Sequence, residues 1–137
     1  MRMRAWACWS SVALTFCVSV IYGHHSITGT YDLSREVTIE GAVTKFEFIN
    51  PHPLVTIAVT AGGQTQSWRL ELDNRSELVQ IGMESRTFRA GDQVVVTGSP
   101  GRSQTQTLYV RALDRPSDGL RYEQIGYTPH IQFGRSR

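Results

Sequence analysis

The chain has 137 residues, with 14 Lys and Arg against 12 Asp and Glu and a formal net charge of +2. That length suits one domain. So small a positive excess gives no electrostatic ground for nucleic acid or an anionic membrane as a partner.

Residues 1–23 read as a secretory signal peptide. Arg2 and Arg4 form a short positive n-region, Ala5 to Val20 an uncharged apolar h-region, and Ile21-Tyr22-Gly23 a cleavage site with a small residue at its end. The apolar run falls short of the ~20 residues of a membrane span and serines interrupt it, so an uncleaved anchor is the weaker alternative. Leu14-Thr15-Phe16-Cys17 looks like a lipoprotein box, but Phe16 stands where a small residue is needed.

Cleavage after Gly23 takes 23 of the 137 residues and leaves 114. Arg2 and Arg4 go with the signal, so 12 basic residues remain against 12 acidic and the net charge falls to zero. Cys8 and Cys17 go too, leaving no thiol, disulfide or thiolate metal site. An exported domain without disulfides depends on its core. The expectation is a periplasmic or extracellular protein with no stable membrane anchor after cleavage and no nucleic acid partner.

The mature chain is expected to hold five strands and one helix over residues 24–123, followed by a flexible tail over 124–137. Val37 to Phe48 is a long first strand. Its apolar parity changes between Val43 and Phe46, which predicts a bulge or sharp coil near Gly41–Val43. Asn50-Pro51-His52-Pro53 is a stiff loop. Leu54 to Thr60 is the second strand, Ala61-Gly62-Gly63 a hairpin turn, and Gln64 to Leu72 the third strand.

Asn74-Arg75-Ser76-Glu77 then resembles a capping box, and Gly82 supplies a C-terminal stop about two turns later. Asn74-Arg75-Ser76 is also a glycosylation sequon, which the capping role explains without sugar. Gln93 to Ser99 and Gln104 to Leu113 are the fourth and fifth strands, and Leu120 to Tyr122 a short addition. The order β-β-β-α-β-β, with a bent first strand, predicts a mostly β protein: a small five-stranded OB-like barrel with one short helix between strands 3 and 4.

A set of ordered motifs runs through this domain. His24-His25-Ser26 comes first, then Tyr31-Asp32, Gly41-Ala42-Val43-Thr44, Asn50-Pro51-His52 and Trp68-Arg69-Leu70-Glu71. Leu78 with Gly82 and the segment from Gly91 to Pro100 follow. Together they resemble an uncharacterised family of small exported bacterial proteins, a domain of unknown function, from about Gly23 to Leu113. The resemblance implies export and a small β domain, and no activity. Ile27 stands where family members commonly carry Phe, and Met83 where they often carry Trp.

Cleavage after Gly23 would make His24 the N-terminal residue. Its amine and imidazole, with His25 and a third ring from His52, form a candidate metal set of His24, His25 and His52. Nitrogen-rich tetragonal surroundings suit copper, and three histidines with one water suit zinc. Pro51 and Pro53 pre-set the backbone around His52. Equally, adjacent histidines near a terminus are often solvated, and His52 suits a turn hydrogen bond.

Glu71 and Asp32 are candidate site-lining carboxylates. Glu71 shares its strand face with Arg69, opposite Trp68 and Leu70. No mature cysteine, nucleophile elbow or phosphate-cradling Gly-rich loop supports an enzyme. The sequence therefore points to a small exported binding or accessory protein, with copper through the histidines. The alternative is a non-metal module that docks a protein or ligand on the barrel edge.

Overall fold

The computed structural model describes residues 26–134. In chain order it places α1 (Ile27–Thr30), β1 (Val37–Glu47), β2 (Leu54–Ala61), β3 (Gln64–Glu71), α2 (Arg75–Gln80), β4 (Gln93–Pro100), β5 (Thr107–Arg115), β6 (Leu120–Ile125) and β7 (Thr128–Gln132). Neighbouring strands run β3-β2-β1-β4-β5-β6-β7, and a parallel pairing of β3 with β5 closes the first five into a barrel. The closed order β1-β2-β3-β5-β4, with α2 between β3 and β4, is the OB-fold.

β1 serves both sides of the barrel by dividing its length. Val37 to Ala42 pair with β4, and Ala42 to Glu47 pair with β2. The register against β2 slips between Val43 and Lys45, a bulge beside the expected place. Gly41 sits just before it, where a Cβ would press into the backbone carbonyl of Ala58. The absent side chain lets β2 cross closely there.

The β3–β5 seam is three residues long: Arg69 beside Thr107, Leu70 beside Leu108 and Glu71 beside Tyr109. Strand alternation sends Leu70 and Leu108 into the core and sets the other four outward. Val43, Val55, Ile57, Val94, Val96, Val110 and Leu113 complete the barrel interior.

α2 begins as the capping pattern suggests, though with a tighter bond. Asn74 Oδ1 accepts from Ser76 N at 2.9 Å and Ser76 Oγ at 2.7 Å. It ends in a Schellman motif: Gly82 has φ of 92°, Gly82 N donates to Val79 O and Met83 N to Leu78 O. The helix thereby delivers Leu78, and the turn after it Met83, to the core.

Three regions differ from the sequence expectation, the first being the short helix α1 over Ile27–Thr30, where a single helix was expected in the whole domain. Gln104 to Gln106 belong to a turn, with Gln106 at φ 57°, so β5 starts at Thr107. Residues 124–134 are not a loose tail: β6 and β7 form an antiparallel hairpin around Gly126-Tyr127. Its anchor is Leu120 and Tyr122, both fully buried, with Ile131 packed against the core from β7. The short strand expected over Leu120 to Tyr122 extends to Ile125 and carries the seventh beside it.

Candidate functional site: a groove across strand β3

Asn50-Pro51-His52-Pro53 connects β1 to β2, and backbone bonds tie it to the end of β3. Leu72 N donates to Pro53 O and Arg75 N to Pro51 O, each at 2.9 Å, while Arg75 Nε donates to Phe48 O at 3.1 Å. The Asn50–Pro51 peptide is cis. The loop thus holds His52 against Leu72, with Nδ1 3.1 Å from the Leu72 carbonyl oxygen. That bond requires the proton on Nδ1, which leaves Nε2 of a neutral ring with its lone pair.

Glu71, the last residue of β3, stands beside the ring. Its Oε1 is 4.0 Å from His52 Nδ1, and its Oε2 accepts a 2.6 Å hydrogen bond from the Tyr31 hydroxyl. Tyr31 reaches this position because the chain around it is fastened to β4 and the loop that follows. Asp32 N donates to Pro100 O at 2.8 Å, Arg102 N to Thr30 O at 2.9 Å, and Tyr31 bridges to Gly101. Its ring packs on Tyr109, centroids 5.7 Å apart. Burial first, and then the bond to Glu71, push the Tyr31 phenol far above its usual range, so it stays a neutral donor to the carboxylate.

Arg69 lies two residues before Glu71 on the same outward face and is exposed. A cavity of about 170 Å³ lies between the Asn50–His52 loop, Leu54, Arg69 and Glu71. A second, of about 150 Å³, lies between Thr30, Tyr31, Arg69, Glu71, Gln104 and Thr107. Arg69 and Glu71 line both, so the two adjoin as neighbouring parts of a groove across β3. It runs from the β1–β2 loop to the β4–β5 loop, the edge OB barrels commonly use for ligands.

A family of unknown function, DUF6152, matches residues 13–109, most of the chain. The chain belongs to this family. The DUF6152 match takes in every groove residue and ends inside β5, leaving β6 and β7 beyond it. A search of curated proteins found no match. Among solved structures, the chain is similar to Rim1, a mitochondrial single-stranded DNA-binding protein of S. cerevisiae. The identity is 18% and the TM-score 0.45, over 58% of this chain and 91% of that one.

Within this DUF6152 domain the structure brings together two of the residues expected from sequence, His52 and Glu71. Asp32 does other work: its Oδ1 accepts from Ser34 Oγ at 2.7 Å and Ser34 N at 3.3 Å, and lies 3.9 Å from Arg102 Nη2. The Ser34 hydroxyl chiefly holds its carboxyl below the usual range. His24 and His25 lie outside the described residues. Among the described residues, no three His, Cys, Asp or Glu side chains are grouped to hold a metal. Sequence reasoning missed Tyr31 and Arg69 as groove residues. Arg69 was reachable through its shared parity with Glu71. Tyr31 carried no signal beyond its place beside Asp32.

Proposed function

We propose that the protein is a small exported binding or accessory module whose ligand seat is the groove across β3. The observation that carries this reading is the convergence of the Asn50–Pro53 loop, Arg69 and Glu71 of β3, and Tyr31 on one groove of mixed polar and apolar lining. Tyr31 fixes Glu71 by a 2.6 Å hydrogen bond and the Leu72 carbonyl fixes His52 beside it, while Arg69 has no ion-pair partner among the described residues. Rigid polar groups beside a free guanidinium suit recognition of a partner protein or small ligand. Export rests on the signal-like residues 1–23.

Site-specific crosslinking in an export-competent host tests the seat. A photoreactive residue at Arg69 or Gln104 is expected to give discrete adducts, and one at exposed Thr38 none. Equal labelling at all three positions, or none at the groove, overturns the reading.

The geometry of His52 favours a metal as a second reading. A ligating histidine commonly donates its other ring N–H to a carbonyl, as His52 Nδ1 is placed to do toward Leu72. His52 would offer Nε2, with His24 and His25 completing a copper or zinc site. Titration of the mature protein with Cu(II) and Zn(II) is expected to show near-stoichiometric binding that His52→Ala and His24→Ala abolish. Unchanged affinity in either variant rejects it.

A further inference from the structure

A separate cavity lies between the N-terminal turn and the β6–β7 hairpin. Its volume is about 310 Å³, at the lower end of the ~300–1,000 Å³ of small-ligand pockets. Ile27 and Leu33 supply apolar wall, Tyr109 and Tyr127 phenol rings, and Asp73 and Glu77 carboxylates. Tyr127 is almost wholly exposed at the hairpin tip, and with Glu77 it also borders a neighbouring cavity of about 310 Å³ beside α2.

The polar groups of this cavity have a consistent character. Asp73 is half-buried, yet its two oxygens meet only neutral donors, Asn74 N and the Gln124 amide. Among the described residues, neither Asp73 nor Glu77 has an ion-pair partner. Arg111, also in the lining, sits 5.8 Å from the Tyr109 ring centre rather than on a carboxylate.

The Gln124 Nε2 group donates to both Asp73 and the Tyr109 hydroxyl, and its Oε1 is left buried with no donor. Turning the amide over would set its oxygen against the Asp73 carboxylate, so the lack of a donor is not a matter of orientation. Burial first, and then the Asp73 charge, push the Tyr109 phenol up to about 12. The lining therefore carries two carboxylates and one guanidinium, with no ion pair between them, beside phenol rings.

We infer that this cavity binds an alkylammonium group carried on an apolar stem, the chemistry of a free amine or of a lysine side chain on a partner. Asp73 and Glu77 take the charge, the exposed Tyr127 ring borders the ammonium and its methylenes, and Ile27 and Leu33 pack the stem. The site is distinct from the groove across β3, with which it shares no lining residue.

The test is amide NMR of the mature protein titrated with n-pentylammonium and, in parallel, with 1-pentanol. The ammonium is expected to give saturable shifts at residues 73, 77, 109, 124 and 127, and the alcohol at least about tenfold weaker ones, the worth of ~1.4 kcal/mol. Asp73→Asn and Glu77→Gln are each expected to weaken ammonium binding several-fold. Where Asp73→Asn disturbs the fold, Glu77→Gln and the alcohol comparison decide. Equal binding of the alcohol, no saturable shift, or affinity unchanged in Glu77→Gln overturns the proposal. A Lys-containing pentapeptide that binds more tightly than pentylammonium assigns the amine to a polypeptide, and one that binds no better assigns it to a free amine.

Discussion

The bond between Tyr31 and Glu71 joins residues 40 positions apart and fastens the N-terminal segment to the barrel. A hydrogen bond to a charged group contributes ~1.5–3 kcal/mol. The Glu71 side chain is 18% exposed, so water partly replaces a lost donor. Tyr31→Phe is therefore expected to cost about 1–2 kcal/mol in urea unfolding. In a Glu71→Gln background the same change is expected to cost less, because the charge it served is gone. Equal costs in both backgrounds would show that the Glu71 charge adds nothing to the bond.

A second residue-scale prediction concerns acid. Arg115 Nη2 donates to Asp118 Oδ2 at 2.8 Å, and that hydrogen bond chiefly holds the Asp118 carboxyl below its usual range. A carboxyl lowered on folding adds stability above its unfolded pKa of ~3.9, lost as pH falls through the folded value. Asp118 is half exposed, so the effect is modest. Unfolding midpoints measured from about pH 5 to pH 2 are expected to fall less in Asp118→Asn than in the wild type. Parallel curves would remove Asp118 from the acid response.

At the scale of elements, β1 carries the barrel's closure, and Gly41 is the position that permits it. A Cβ there meets the Ala58 carbonyl, which belongs to a paired strand and has little room to retreat. Gly41→Ala is expected to destabilise the fold by about 2 kcal/mol or more, against the ~0.5–1 kcal/mol gain Ala usually brings inside a regular element. Thermal unfolding reads it, and a neutral result would mean that β1 coils by another device.

The same strand shows what the sequence made legible. The parity change from Val43 to Phe46 and the helix signals from Asn74 to Gly82 are local patterns, and they sufficed for the barrel order. His52 and Glu71 were also visible as residue types. Their meeting was not, because it depends on the register of β2 against β3 and on a loop tied to Leu72 by tertiary bonds. The β6–β7 hairpin stayed hidden for a different reason. β7 is short and polar, and takes its place from buried residues on its partner. Pro129 faces Gln124 in β7, one position from the closing pair Ile125–Thr128. Alternation from that pair puts its missing N–H on the free edge, where it discourages further strand pairing.

For the molecule as a whole, the question is whether the five-stranded barrel is complete without the hairpin. The closed pairing of β1 to β5 suggests that it is, but the core says otherwise. Leu120 and Tyr122 are fully buried among the barrel's own residues, and Ile131 packs on the same cluster. Removing one buried Leu to Ala costs ~2–5 kcal/mol, against a typical total stability of ~5–15 kcal/mol. A chain ended at Asp118 loses both side chains and strips the cover from Leu113. It is expected to lose cooperative unfolding, or at least about 4 kcal/mol of stability. Tyr127→Ser, at the exposed hairpin tip, is expected to stay within about 0.5 kcal/mol of the wild type. Calorimetry on the two variants separates a hairpin that merely decorates the barrel from one that completes its core. A sharp transition of native height in the shortened chain would show decoration. Its loss, with Tyr127→Ser unaffected, would show that the barrel's interior is finished by strands outside it.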